Sequence, residues 1–256
     1  MITTKLQGGL GNQMFQWAAT YSASKKHSTD YFFDLSYFRK EKSKSTRWNL
    51  QITQFQNVDV PESIGPCYSP IREDRGIFGE IENNTFLSGY WQSEKYFLEY
   101  SDEIRAKFQF DRNIIKYVIK KYPNIKDNSL SIHVRRGDYL WLQGIHPVMP
   151  AEYFKRAYDI IGDSTSSVFI FSDDVSWCEE NLKFDNAIFV NEDVMTDLCM
   201  ISLCKNNILS NSSYSWWGAW LNCNPEKKIV APKTWLGKKS NYNQEHIVPS
   251  NWIQID

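Results

Sequence analysis

Seven consecutive residues, His133-Val134-Arg135-Arg136-Gly137-Asp138-Tyr139, concentrate more reactive chemistry than any other stretch of the chain. They follow Leu130-Ser131-Ile132, an apolar run that reads as the end of a buried strand. An open α/β sheet places its ligand crevice past the carboxyl ends of its strands. Two guanidinium groups arriving there present rigid forks of donors that suit phosphate oxygens. Gly137 lets the backbone turn tightly beside them. The expectation is a diphosphate clamp with His133 on its rim. Taken alone, an Arg-Arg pair reads more readily as solvated surface charge, so the case rests on what else reaches the same place.

Two further clusters do. Asp197 falls near the start of a helix, and a carboxylate there accepts hydrogen bonds only, which would select guanine over adenine. By itself it reads equally well as a partner of the helix dipole. Ser210-Asn211-Ser212-Ser213-Tyr214-Ser215 marks a helix N-terminus, where free N–H groups and hydroxyls make a ready anion site. Ordinary N-capping is the plain alternative. Near the start of the chain, Gln7-Gly8-Gly9-Leu10-Gly11-Asn12-Gln13 sits between a short strand candidate, Ile2 to Leu6, and a buried helix running from Met14 to Ala23. Strand, glycine loop and helix is a layout that points backbone N–H groups at an anion. The spacing is Gly-Gly-x-Gly, neither a dinucleotide fingerprint nor a P-loop.

The elements that must carry these groups alternate cleanly in the second half. Strands are predicted at 130–134, 168–171, 187–190, 207–209 and 228–230, with helices at 151–161, 174–182, 194–205 and 213–223. That order implies a parallel, doubly wound sheet whose strand ends share one crevice. In the first half, Tyr31 to Asp34 and Phe86 to Gln92 read as strands, and 94–108 and 112–121 as amphipathic helices. The stretches 40–47 and 61–79 read as a surface loop and an irregular segment. Pro123 to Asn128 is the best linker. The domains expected are therefore residues 1–126, on the acceptor side with the Gly-rich loop, and 127–256, binding the donor.

Composition narrows the class. A chain of 256 residues, 42% hydrophobic and 23% charged, is an ordinary globular protein able to bury a core. Its net charge of −1 disfavours a nucleic-acid partner. The ten tryptophans hint at carbohydrate but suit a large core as well. Cys67, Cys178, Cys199, Cys204 and Cys223 are scattered and odd in number, which fits a reducing compartment. No signal peptide and no bilayer-spanning run is read, so the expected location is the cytoplasm, with peripheral contact at the inner membrane left open. Asn83-Asn84-Thr85 and Asn211-Ser212-Ser213 match the glycosylation sequon by chance on that reading. No metal ligand spacing is found among His27, His133, His146 and His246, and there is no Asp-x-Asp; no metal and no cofactor is expected.

With these residues assembled, the chain resembles the alpha-1,2-fucosyltransferases of glycosyltransferase family 11, nearly end to end. The resemblance is carried by 8–16, 89–97, 133–139, Phe171-Ser172-Asp173-Asp174, Asp197 and 210–221. It implies an α/β fold of the GT-B kind, two Rossmann-like domains facing a central cleft, with GDP-L-fucose as donor, inversion at the sugar carbon and no metal. It implies that Arg135 binds the β-phosphate beside Arg136, that His133 and Asp197 hold guanine, and that Ser212, Ser213 and Tyr214 line the phosphates. Gly9, Leu10 and Gly11 match a loop approaching the diphosphate, with Asn12 at the leaving oxygen. Asp138 and His146 are the in-reach candidates for the base. The acceptor would be a galactose-terminated oligosaccharide or lipid-linked glycan. Other readings are a transferase of another nucleotide sugar, a glycan-binding protein without chemistry and a nucleotide hydrolase.

Overall fold

The computed structural model describes residues 1–39, 49–63, 69–73, 78, 81, 84–162 and 165–256. The expected loop at 40–47, most of the irregular stretch before residue 80, Cys67 and Asn83 lie outside the described residues. The chain divides into two compact units: Met1–Gln109 with Glu245–Pro249, and Phe110–Gln244 with Ser250–Asp256.

The first unit contains β1 (Ile2–Lys5), α1 (Leu10–Lys26), β2 (Tyr31–Asp34), α2 (Ser36–Arg39), β3 (Ser69–Arg72), β4 (Thr85–Ser88) and α3 (Ser101–Lys107). Its sheet is parallel, in the order β2-β1-β4-β3. β1 is the pivot: the chain goes to β2 on one side and later to β4 on the other, so the topological switch lies between β1 and β4. Helix α1 is buried from Leu10 through Met14, Trp17, Ala18 and Ala19, as the apolar residues on its adjoining faces predict. It begins four residues before the expected start, with Gly9 as its N-cap, so Leu10, Gly11 and Asn12 form its first turn and not a loop. The strand expected over 86–92 stops at Ser88, because Gly89 (φ 155°) and Trp91 (φ 58°) turn the chain out of extended geometry. Helix 94–108 is broken into two 3₁₀ turns before α3. β3, inside the stretch read as irregular, carries Pro70 on the edge of the sheet, where a missing N–H does no harm.

The second unit contains α4 (Arg112–Lys121), β5 (Ser129–Val134), α5 (Ala151–Ile161), β6 (Ser167–Ser172), α6 (Val175–Asn181), β7 (Ala187–Phe189), α7 (Val194–Leu203), β8 (Asn206–Ile208), α8 (Ser213–Leu221), β9 (Ile229–Pro232) and β10 (Ile253–Ile255). The sheet is parallel throughout, in the order β10-β9-β8-β5-β6-β7. Here β5 is the pivot, and the switch lies between β5 and β8. Leu130, Ile132 and Val134 share one core with Tyr153, Phe154 and Ala157 of α5. Phe169 and Phe171 share a second with Val118 of α4 and with Met200 and Ile201 of α7. Two cores on two faces make the sheet doubly wound, as alternating β and α elements predict. Asn207 Nδ2 donates to Ser131 Oγ at 2.7 Å and Asn222 Nδ2 to Asn207 Oδ1 at 2.9 Å. These buried bonds help fix the β5–β8 register.

The domain boundary expected at 126/127 moves to Gln109/Phe110. The physical reason is α4: Val118 and Ile125 pack under the second sheet, and Glu192 accepts from Lys121 Nζ at 2.6 Å and Tyr122 Oη at 2.8 Å.

Candidate functional site

In the second unit the site forms at the switch between β5 and β8. His133 and Ser210 leave these neighbouring strands side by side, with His133 Nδ1 2.9 Å from Ser210 Oγ and Ser210 N–H donating to the His133 carbonyl at 3.0 Å. Alternation along β5 puts His133 on the face it shares with its register partner Phe171. Its ring is tilted against Tyr214, with centroids 5.6 Å apart. Burial, and after it the positive charge of Arg135, lowers the His133 pKa to about 3. The imidazole is neutral at pH 7 and can accept or donate a hydrogen bond without carrying charge.

Past His133 the two arginines part company. Arg135 Nη1 lies 2.9 Å from Asp173 Oδ2, and its Nη2 donates to Asp138 Oδ1 at 2.5 Å. Its guanidinium also sits over the Tyr139 ring, 5.3 Å from the centroid. Arg136 turns to α6: its Nε donates to Asp174 Oδ2 at 2.9 Å, and its guanidinium stacks 4.0 Å from the centre of the Trp177 ring. Its backbone N–H donates to Asp173 Oδ1 at 2.9 Å. Arg136 thus has its backbone N–H on Asp173 and its guanidinium anchored on α6, while Arg135 holds its guanidinium between two carboxylates. Asp173 and Asp174 point apart, Asp173 to the Arg135 guanidinium and Asp174 to that of Arg136. Their place at the end of β6, in register with Val134↔Ser172, is the signal that could have linked them to the arginines from sequence.

The 3₁₀ turn Gly137–Trp141 carries Asp138 and Tyr139. Tyr139 is a hub: it lies against Arg135 on one side, stacks on His146 with centroids 4.6 Å apart, and donates its hydroxyl to the Asn211 carbonyl at 3.2 Å. It brings His146 to Arg135 and Asp138 across a loop. Burial lowers the His146 pKa, Asp138 opposes that and Arg135 adds to it.

Ser212 is the N-cap of α8, and its side chain makes no capping bond. Asp174 and Asp193 do cap α6 and α7 with their carboxylates. The early amides of α8 have no acceptor within the helix, and Ser212 and Ser213 occupy the N-cap and the first helical position. Tyr214, expected to line phosphates, donates its hydroxyl to the Val194 carbonyl at 2.5 Å, a bond that ties α8 to α7. Asn211 is buried with Nδ2 donating to the Trp235 carbonyl at 3.0 Å, while its Oδ1 has no partner among the described residues. Asp197 lies in the first turn of α7, and helices following parallel strands start at the same sheet edge. Its Oδ1 is buried without a partner among the described residues. Burial, then Glu192 and Asp193, push its pKa up to about 7, with a backbone bond from Glu192 acting the other way.

In the first unit the corresponding switch holds the other sequence motifs. Gly8 (φ 76°) needs the left-handed region open to glycine, and an added Cβ would meet Asn12 Nδ2 at 2.7 Å. Asn12 Oδ1 accepts from Gln92 Nε2 at 2.8 Å. Gln92 is placed in turn by Glu73, whose carboxylate accepts the N–H groups of Tyr90, Trp91 and Gln92 at 2.9, 2.7 and 2.9 Å. Gln16 Oε1 accepts from Gln7 N–H at 2.9 Å and its Nε2 donates to the Gly89 carbonyl at 3.1 Å. Gln13 bonds Gly8 and Asn49 with its amide nitrogen, and Gln51 and Ile52 with its oxygen. Gly9, Leu10, Gly11 and Asn12 thus stand at a helix start tied down by buried glutamines. Sequence reading missed the work of Glu73, Gln13, Gln16 and Gln92.

No group of three or more His, Cys, Asp or Glu that could hold a metal is found among the described residues, nor any helix long and apolar enough to cross a membrane. Two parallel α/β units, each with a polar cluster at its own switch point, give the protein the GT-B fold of glycosyltransferases. It belongs to glycosyl transferase family 11, whose model matches residues 1–256. It is similar to the O-antigen biosynthesis glycosyltransferase WbnK of Escherichia coli, 29% identical over 98% of this chain and 99% of that one. It is also similar to the alpha-1,2-colitosyltransferase of Escherichia coli, 28% identical over 100% and 99%. Among solved structures it resembles NodZ alpha-1,6-fucosyltransferase of Bradyrhizobium, soaked with GDP-fucose, with TM-score 0.52 and 12% identity over 86% of this chain and 92% of that one.

Proposed function

We propose that this glycosyltransferase moves L-fucose from GDP-L-fucose to the 2-hydroxyl of a terminal galactose, with inversion and without a metal. The observation that carries the donor reading is Asp197. A buried carboxylate oxygen without a partner among the described residues, at the end of the sheet shared by Arg135 and the start of α8, matches the N1–H and amino donors of guanine. The neutral His133 beside Ser210 supplies a second contact for the base.

On this reading the acceptor hydroxyl attacks the anomeric carbon from the face opposite GDP. The C–O bond to the diphosphate is largely broken first, and the negative charge released collects on the β-phosphate. Arg135 and the first amides of α8 stand ready for that charge before it forms, which is where electrostatic stabilisation is most effective. The start of α1, with Asn12 held by Gln92, keeps the donor-side role that the family resemblance gives it. Asp138 and His146 remain the two base candidates. Asp138 is tied to Arg135, so taking a proton there loosens an ion pair. His146, with a lowered pKa, is neutral at pH 7 and open to a proton.

One relative supports a second donor. The name alpha-1,2-colitosyltransferase shares the linkage but not the sugar, and colitose is fucose without its 3-hydroxyl. Turnover of GDP-fucose, GDP-colitose, GDP-mannose and UDP-galactose with β-galactoside acceptors, chelator present, tests the proposal. Preference for GDP-fucose supports it. Preference for GDP-colitose or a UDP-sugar replaces the donor, and GDP binding without transfer to any acceptor removes the reaction.

A further inference from the structure

Beyond Tyr139 the same turn presents a quite different surface. Leu140, Trp141, Leu142 and Ile145 are exposed, Trp141 to 87%. Tryptophan is seldom left so open in a soluble fold. The loop that carries it is not slack. Leu140 N–H donates to the Arg136 carbonyl at 3.1 Å, Leu142 to Tyr139 at 3.1 Å, and Ile145 to Leu142 at 2.8 Å. A second loop clips onto it, with Gly237 N–H donating to the Ile145 carbonyl at 2.8 Å and Lys239 N–H to the Gly144 carbonyl at 2.9 Å. An added Cβ on Gly144 would meet Lys239 Cδ at 2.7 Å, so the lysine stem runs along the apolar loop. This second loop exposes Lys238, Lys239 and Tyr242. Residues 139–146 and 235–243 contain no Asp or Glu.

We propose that this tip docks on an anionic lipid surface. Tryptophan and tyrosine settle at the headgroup level, leucine and isoleucine enter the acyl boundary, and lysines meet lipid phosphates. The composition disfavours the other occupants. A sugar stacked on Trp141 would find Gln143 as the one other hydrogen-bonding side chain in 140–145, with Leu140, Leu142 and Ile145 offering none. A second copy joined through the same patch would bring Lys238 and Lys239 against their own equivalents. The inference is independent of which sugar is transferred, and its test needs no activity.

The full chain is sedimented with vesicles of phosphatidylcholine alone and of phosphatidylcholine with phosphatidylglycerol. Binding is expected to the anionic vesicles and to fall with added salt. Trp141→Ser with Leu142→Ser, and separately Lys238→Glu with Lys239→Glu, should each weaken it by more than about tenfold, with GDP affinity unchanged as the check on folding. Absence of binding, equal binding to neutral vesicles, or variants that bind like the parent would overturn the proposal. So would a dimer in solution that the Trp141 variant dissociates.

Discussion

Nη1 of Arg135 lies 2.9 Å from Oδ2 of Asp173, the first residue past the neighbouring strand. The contact spans the β5–β6 pairing and aims the guanidinium before any ligand arrives. With Asp138 on its other side, Arg135 cannot swing far, and orientation is what a fork of donors must have to meet a developing phosphate charge. Arg135→Ala should lower kcat/KM by about 10²-fold or more. Arg135→Lys should also be poor, because a point charge cannot serve Asp138, Asp173 and a phosphate in fixed directions. Steady-state kinetics with saturating acceptor check both. Near-normal turnover by the lysine variant would count against the clamp.

Gly137 tests the same contact from the other side. Its backbone carries no left-handed requirement, yet an added Cβ would lie 2.3 Å from Asp173 Oδ2. The carboxylate must move, and it is the group that holds Arg135 and the Arg136 N–H. Gly137→Ala should therefore cut kcat/KM by roughly 10- to 100-fold, with Tm changed by no more than about 2 °C because the displaced group is at the end of a side chain. A large Tm loss would show that the turn itself had failed.

Asp197 gives the pH dependence. Its folded pKa, about 7, stands above that of the unfolded chain. Between the ordinary carboxylate range and pH 7 the folded state holds a proton that the unfolded state has lost, so stability from this group declines as pH rises through that window and stays low above it. Asp197→Asn should raise Tm, little at pH 4 and most above pH 7. GDP affinity should move the opposite way: in the parent it should improve as pH rises through 7, as the carboxylate ionises to accept guanine's donors, and in the variant it should be weak and flat. Melting curves and GDP titrations at matched pH values read both signs.

In the first unit the relay from Glu73 through Gln92 to Asn12 makes a distinct prediction. Gln92→Leu removes one side-chain hydrogen bond, worth about 1 kcal/mol of stability. If its purpose is to orient Asn12, its effect on kcat should be larger than that. Combined with Asn12→Ala the two losses should not add, because the second removes what the first misplaces. A double-mutant cycle on kcat/KM measures the coupling; full additivity would separate Gln92 from Asn12.

The parallel second sheet was legible because its strands are short apolar runs between amphipathic helices, and periodicity reports that directly. Ile253–Ile255 escaped because it is three residues at an exposed edge. The start of α1 was hidden by Gly8, Gly9 and Gly11, which read as loop; burial of Leu10 and the bonds of Gln13 and Gln16 override that local preference. That His133 and Arg135 stand at a strand end was legible from position alone. The way Arg136 and Tyr214 turn was not legible, because it depends on Trp177 and Val194, partners far away in sequence. His146 was gathered in by stacking on Tyr139, and no spacing rule encodes a stack across a loop.

The most direct measurement is calorimetric titration of GDP into the full chain with chelator present, in the parent, Arg135→Ala and Asp197→Asn. Binding by the parent that survives the chelator and is weakened by more than about tenfold in each variant is the expected result, two separate contacts having been lost. No binding without a divalent ion, or equal affinity in all three proteins, would contradict a nucleotide diphosphate seated at the β5–β8 switch.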